Sequence, residues 1–92
     1  MNDEQRASQE EIGKFLKQLR EENKMTQEDV AKELHYSRDV ISQIERGISM
    51  PSYDKAIVLS KIFNVSIYEI YGARKISDGS KKEIQEIMDN TT

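Results

Sequence analysis

The patterns Ser8-x-x-Glu11, Thr26-x-x-Asp29, Ser66-x-x-Glu69 and Ser80-x-x-Glu83 recur along the chain and say where helices can begin. In each, the hydroxyl can accept the backbone N–H of the third helical residue while the carboxylate reaches back to the N–H of the cap, satisfying donors that a helix start leaves unpaired. Ser37 before Arg38 and Ser52 after Pro51 add single-residue caps, and Gly47 and Gly72 supply stops. Starts packed this densely between residues 8 and 80 leave room only for short helices.

Apolar spacing fills in the faces. Ile12, Phe15, Leu16 and Leu19 form one stripe of a helix near 9–23, with a charged, solvated back. Val30, Ala31 and Leu34 belong to the buried side of a second helix near 27–34. Ile41 and Ile44, with Val40 in part, do the same for a third near 38–46. A fourth near 53–63 offers Ala56, Leu59, Ser60 and Phe63, a short fifth offers Ile67 and Ile70, and Val65 fills the gap between them. No strand alternation of useful length, repeat or low-complexity block appears, so the fold class is all-α.

Only His35, Tyr36 and Ser37 separate the second helix from the third. So tight a turn needs a left-handed residue; His35 tolerates one better than most non-glycine residues, and Tyr36 would plug the gap between the helices. At about 100° per residue, Arg38, Asp39, Ser42, Gln43 and Arg46 fall within an arc of about 140°, while Val40, Ile41 and Ile44 lie on the far side. One face suits a core; the other carries hydrogen-bonding groups that could reach a flat, patterned partner. Two short helices joined in this way make a helix-turn-helix.

The stretch TQEDVAKELHYSRDVISQIERGISMPSYDKAIVLSKIFNVSIYEI resembles the phage Cro/repressor-type helix-turn-helix family, also called XRE. The match runs from about Ile12 to Tyr71 and includes Arg20, Thr26-Gln27, Ala31, Ser37, Ile41, Ile44-Glu45-x-Gly47, Pro51 and Val65-Ser66. The resemblance implies a five-helix, lambda-repressor-like DNA-binding domain, followed here by a short C-terminal helical extension. It implies base-edge contacts from Arg38, Asp39, Val40 and Gln43, and phosphate contacts from Gln27, Arg46 and the backbone near Ser49 and Ser52. Ser37 and Ser42 flank the same face and join the phosphate set. The chemistry is consistent: Arg38 can fork onto guanine, Gln43 can pair with adenine, Asp39 can accept from cytosine N4, and Val40 can pack on a thymine methyl. The resemblance also implies an ion pair between Arg20 and Glu45 that holds the first helix against the third. His35 and Asn64 stand where the family usually has glycine, and Ala56 is smaller than the usual leucine, a difference Phe63 or Phe15 could fill.

Charge does not oppose this reading. The formal net charge of the 92 residues is -3, but residues 1–11 hold one positive and four negative groups, residues 12–72 nine of each, and residues 73–92 four of each. Local charge, rather than the overall balance, meets phosphates, so a neutral domain with modest non-specific affinity is expected. The partition is an acidic, flexible arm at 1–8, the DNA-binding domain at 9–72, and a linker with C-terminal helix at 73–92. The absence of cysteine is compatible with a reducing cytoplasm, and the longest apolar runs, such as Ala56 to Leu59, are four residues, so neither a signal peptide nor a membrane span is expected.

No nucleophile with a base, phosphate-binding glycine loop or metal cluster is visible. The expectation is therefore no enzyme, no cofactor and no metal, with His35 in a capping role and Tyr53, Tyr68 and Tyr71 packing rather than stacking on bases. The expected function is a cytoplasmic transcriptional regulator, a repressor ahead of an activator, bound to double-stranded DNA as a homodimer on a two-fold operator. Its dimer seam is expected at Ile67, Tyr68 and Tyr71, joined by Ile84, Ile87 and Met88 of the tail. The alternative is an antitoxin-like or adaptor module whose tail binds a partner protein.

Overall fold

The computed structural model describes residues 7–76. Its order is α1 (Gln9–Glu22), α2 (Gln27–Leu34), α3 (Arg38–Glu45), α4 (Tyr53–Phe63) and α5 (Ile67–Gly72), with no strand among the described residues. Each start is the expected one. Ser8, Thr26 and Ser66 form complete capping boxes with Glu11, Asp29 and Glu69, and Ser37 and Ser52 cap α3 and α4 through their hydroxyls. The Ser80 box and the helix after it lie outside the described residues.

Helix ends depend on left-handed residues. His35 (φ 57°) and Asn64 (φ 54°) close α2 and α4, and Gly47 (φ 78°) follows α3. At α5 the expected stop is displaced by one position: Gly72 is the last helical residue and Ala73 takes the left-handed conformation at φ 53°. The hydrogen bonds explain this, because the Ala73 and Arg74 amides donate to the Ile70 and Glu69 carbonyls and close the helix one residue later.

The core unites the apolar faces of all five helices: Ile12, Phe15, Leu16 and Leu19 from α1; Val30, Ala31 and Leu34 from α2; Ile41 and Ile44 from α3; Leu59 and Phe63 from α4; Ile70 from α5. Each fully buried Leu, Ile or Phe gains about 1.5–3 kcal/mol over exposure, which is why helices of six to fourteen residues persist together. Tyr36 packs against this core between α2 and α3, with Lys55 Nζ 5.4 Å from its ring centre. Ser60, expected on the buried side of α4, is half-buried and donates its hydroxyl to the Ile57 carbonyl. Two tyrosines stand clear of the core. Tyr53 and Tyr68 are 62% and 59% exposed, because the first turn of α4 and the outer side of α5 face away from the core. No described helix is long and apolar enough to cross a membrane.

Backbone contacts tie the ends of this bundle together. The Ala7 amide donates to the Tyr71 carbonyl at 2.8 Å, joining the entry of α1 to the end of α5. Beyond α5, Lys75 Nζ lies 2.9 Å from Glu22 Oε2 at the far end of α1.

Candidate nucleic-acid interface

The site is built around α3. Its buried side places Ile41 and Ile44 in the core, and Val40 is half-buried at the core margin, so it divides its surface between the interior and the outer face. Arg38, Asp39, Gln43 and Arg46 are exposed, and Ser42 is half-buried among them. No hydrogen bond or ion pair engages the side chains of Arg38, Asp39 and Gln43 among the described residues. Arg46 Nε reaches back to the Ser42 carbonyl at 3.3 Å, a long bond along its own helix.

The C-terminal end of α3 is anchored by charge. Arg20 Nε donates to Glu45 Oε2 at 2.6 Å and Nη2 to Oε1 at 3.1 Å, while Nη1 donates to the Met25 carbonyl at 2.9 Å. Gln27 Nε2 adds a bond to Glu45 Oε1 at 3.1 Å. The carboxylate therefore joins α1, α2 and α3, and the guanidinium adds the α1–α2 turn. With side chains only 13% and 6% exposed, the pair is shielded from water, and hydrogen bonding to Glu45 holds the Arg20 guanidinium above its ordinary value. The fork geometry leaves no oxygen of Glu45 without a donor.

Backbone proximity supplies a second anchor that the sequence did not announce. α1 crosses the end of α3 at Gly13, where a Cβ would overlap the Ile44 carbonyl oxygen and come within 2.8 Å of that of Glu45. A glycine inside a helix costs about 1 kcal/mol against alanine, and here it permits that approach. One turn earlier, Gln9 Nε2 donates to the Gly47 carbonyl at 2.8 Å. The Ile48 amide, at 2.9 Å, and the Ser49 amide, at 3.4 Å, both donate to the Gln43 carbonyl, fixing the loop that leaves the helix.

Around this helix the remaining expected contacts gather. Thr26, Gln27, Glu28 and Arg38 line one open groove between the starts of α2 and α3. The hydroxyls of Ser37 and Ser52 accept the Val40 and Lys55 amides at 3.4 Å each, so their own protons remain to be donated outward. Ser49 is half-buried in the α3–α4 loop.

On α5, Ile67 and Tyr71 are half-buried beside exposed Tyr68, whereas Ile84, Ile87 and Met88 lie outside the described residues. Glu69 is fully buried while serving its capping box, a burial not legible from the box itself. Among the described residues no three His, Cys, Asp or Glu side chains come together as a metal site.

Comparison with known proteins adds the family context. A family model described as helix-turn-helix matches residues 16–70. An uncharacterized HTH-type transcriptional regulator of Methanocaldococcus jannaschii is 43% identical over 56 residues, covering 61% of this chain and 85% of that protein. The HTH-type transcriptional activator BcrR of Enterococcus faecalis is 35% identical over 66 residues, which cover 72% of this chain. The matched part spans about a third of BcrR, 32% of its length. The restriction-modification controller protein C.AhdI of Aeromonas hydrophila superposes with a TM-score of 0.61 at 22% identity, covering 67% of this chain and 94% of that one, a likeness of fold.

Proposed function

Because the chain belongs to the helix-turn-helix family, we propose that it is a sequence-specific DNA-binding transcriptional regulator that lays α3 in the major groove of a two-fold operator. The observation that carries this reading is the division of α3: its C-terminal end is anchored by Arg20, Gln27 and Gly13, while Arg38, Asp39 and Gln43 project without partners. Such a helix presents unsatisfied donors and acceptors from a fixed platform, which is what reading base edges requires.

In this reading Arg38, Asp39 and Gln43 meet bases, with Val40 contributing only the part of its side chain outside the core. Gln27, Ser37, Ser42, Arg46, Ser49 and Ser52 meet phosphates. One short helix reads only a few base pairs, so a homodimer is needed to place two copies about 34 Å apart. The half-exposed surface of Ile67, Tyr68 and Tyr71 supplies the seam. Occupying an operator can block other proteins without any further contact, which favours repression.

The test is selection of bound duplexes from a random pool, followed by binding curves for two variants. Arg38→Ala should lose about 1–3 kcal/mol on the best site and relax preference at one base pair. Arg46→Ala should weaken all sequences alike and lower the salt slope by about one unit. Identical specificity profiles for the two variants would contradict the assignment, and a pool with no enrichment would end the reading.

A further inference from the structure

The reading surface carries as many anions as cations. Arg38 and Arg46 are exposed there, and so are Asp39 and Glu28, the latter lining the same groove as Arg38. Neither anion takes part in the two ion pairs of the described residues, Arg20–Glu45 and Lys75–Glu22. A surface that bound duplexes mainly by attraction to phosphate would not hold one free carboxylate on its reading arc and another beside it. On the arc of α3, Asp39 falls between Arg46 and Gln43 at about 100° per residue, so it occupies the middle of the face rather than its rim.

A position in the first turn of α3 gives Asp39 a small favourable interaction with the helix dipole, and an exposed carboxylate could serve stability alone. Its place on the arc gives it a second consequence. Pressed into a groove, an ionised carboxylate loses water and approaches two rows of phosphates; it recovers this cost only from a hydrogen-bond donor. In the major groove the donors on base edges are the exocyclic amines of cytosine and adenine, whereas guanine O6 and N7 and thymine O4 are acceptors. Specificity is a difference of affinities and can be built by penalising the wrong partner.

Resting on the reading of α3 as the helix that enters the groove, we propose that Asp39 is a specificity-determining residue of this interface that acts by exclusion. It rejects any duplex that places guanine or thymine, rather than cytosine or adenine with its exocyclic amine, on the strand it faces at one base-pair position. Glu28, beside Arg38 and outside the arc of α3, lowers binding to all duplexes alike and discriminates among none.

The experiment compares the full-length protein with Asp39→Ala, Asp39→Asn and Glu28→Gln by fluorescence anisotropy. The probes are the best duplex from the random pool, its single-base variants, and an unrelated duplex. Asp39→Ala should bind the unrelated duplex about tenfold tighter and lose about tenfold discrimination at a single base pair. Asp39→Asn should bind the unrelated duplex tighter as well and move that one preference toward adenine. Glu28→Gln should tighten every duplex by a common factor of about three. Circular dichroism melting of each variant confirms that the fold is retained.

If Asp39→Ala leaves both the unrelated duplex and every single-base preference unchanged, or shifts all duplexes equally, the inference is overturned while the regulator reading stands. If the wild-type protein discriminates among no duplexes, both fall together.

Discussion

At its C-terminal end α3 is held by a forked guanidinium, an amide side chain and a backbone crossing close enough to require glycine; along its outer arc, the side chains of Arg38, Asp39 and Gln43 make no hydrogen bond or ion pair among the described residues. The contrast separates two demands on one eight-residue helix. Placement is fixed by the fold before any partner arrives, so the cost of positioning the helix does not fall on binding. The side chains of the arc keep their rotamer freedom and all their hydrogen-bonding capacity. Changes at the anchored end should therefore cost stability and, apart from Gln27 with its phosphate contact, reach binding only through the fold, whereas changes on the arc should do the reverse.

The largest expected effect is at the ion pair. Arg20→Met strips a shielded carboxylate of its main donor and should cost about 3 kcal/mol in urea denaturation. Removing Glu45 as well should recover part of that loss. A double variant whose loss equals the sum of the two single losses would mean that the pair is not favourably coupled and that the anchor lies elsewhere.

Next is Gly13→Ala, which drives a methyl into two carbonyl oxygens of α3 and should cost about 2 kcal/mol, despite the better helix propensity of alanine. A neutral or stabilising result would show that α1 can shift without disturbing α3. Gln27→Ala breaks one hydrogen bond to a charged group and should cost about 1–2 kcal/mol by the same measurement.

Acid should act at the starts of α1 and α2. Backbone hydrogen bonds from Ser8 and Thr26 hold Glu11 and Asp29 below their ordinary values of 4.5 and 3.8. For carboxyls depressed on folding, the stability they contribute is present above the unfolded values and is lost as pH falls through the folded ones. The urea midpoint should decline gently below about pH 4.5, and a Glu11→Gln/Asp29→Asn protein should show a flatter decline. The smallest effects on stability belong to the arc: Arg38→Ala and Gln43→Ala should each stay within about 0.5 kcal/mol of the wild type. A loss of several times that size would erase the distinction between anchored end and open arc.

What the sequence disclosed, and what it withheld, follows the range of the forces involved. Ser8, Thr26, Ser37, Ser52 and Ser66 mark helix starts because capping joins residues three apart, and such local bonds can be read without knowing the fold. His35 was legible as a left-handed residue from the shortness of its turn, and Asn64 from standing where the family usually has glycine. The Arg20–Glu45 pair spans 25 residues and was implied only by family resemblance.

Gly13 was silent: nothing within four residues says that another helix crosses there. The Gln9–Gly47 bond, across 38 residues, had no local signal either. Glu69 looked like any capping carboxylate, since burial is a property of what packs over a residue. Tyr53 erred the other way, because aromatic character alone does not say which side of a short helix meets the core. The exposed arc itself was legible: angle placed Arg38, Asp39 and Gln43 together and set Val40 outside them, where it packs half-buried against the core.

The bond between Ala7 and Tyr71 has a topological consequence. It brings two points separated by 64 residues to within one hydrogen bond, so the described chain is close to a closed ring. Joining those points with a few residues and opening the ring between Ile48 and Pro51 would make α5 and α1 sequence neighbours and leave α3 and α4 at opposite termini. Contact between α1 and α5, which in the natural order must close a loop of more than forty residues, would become local. The entropy of that closure would leave the folding barrier, so such a permutant should fold faster to the same five-helix arrangement.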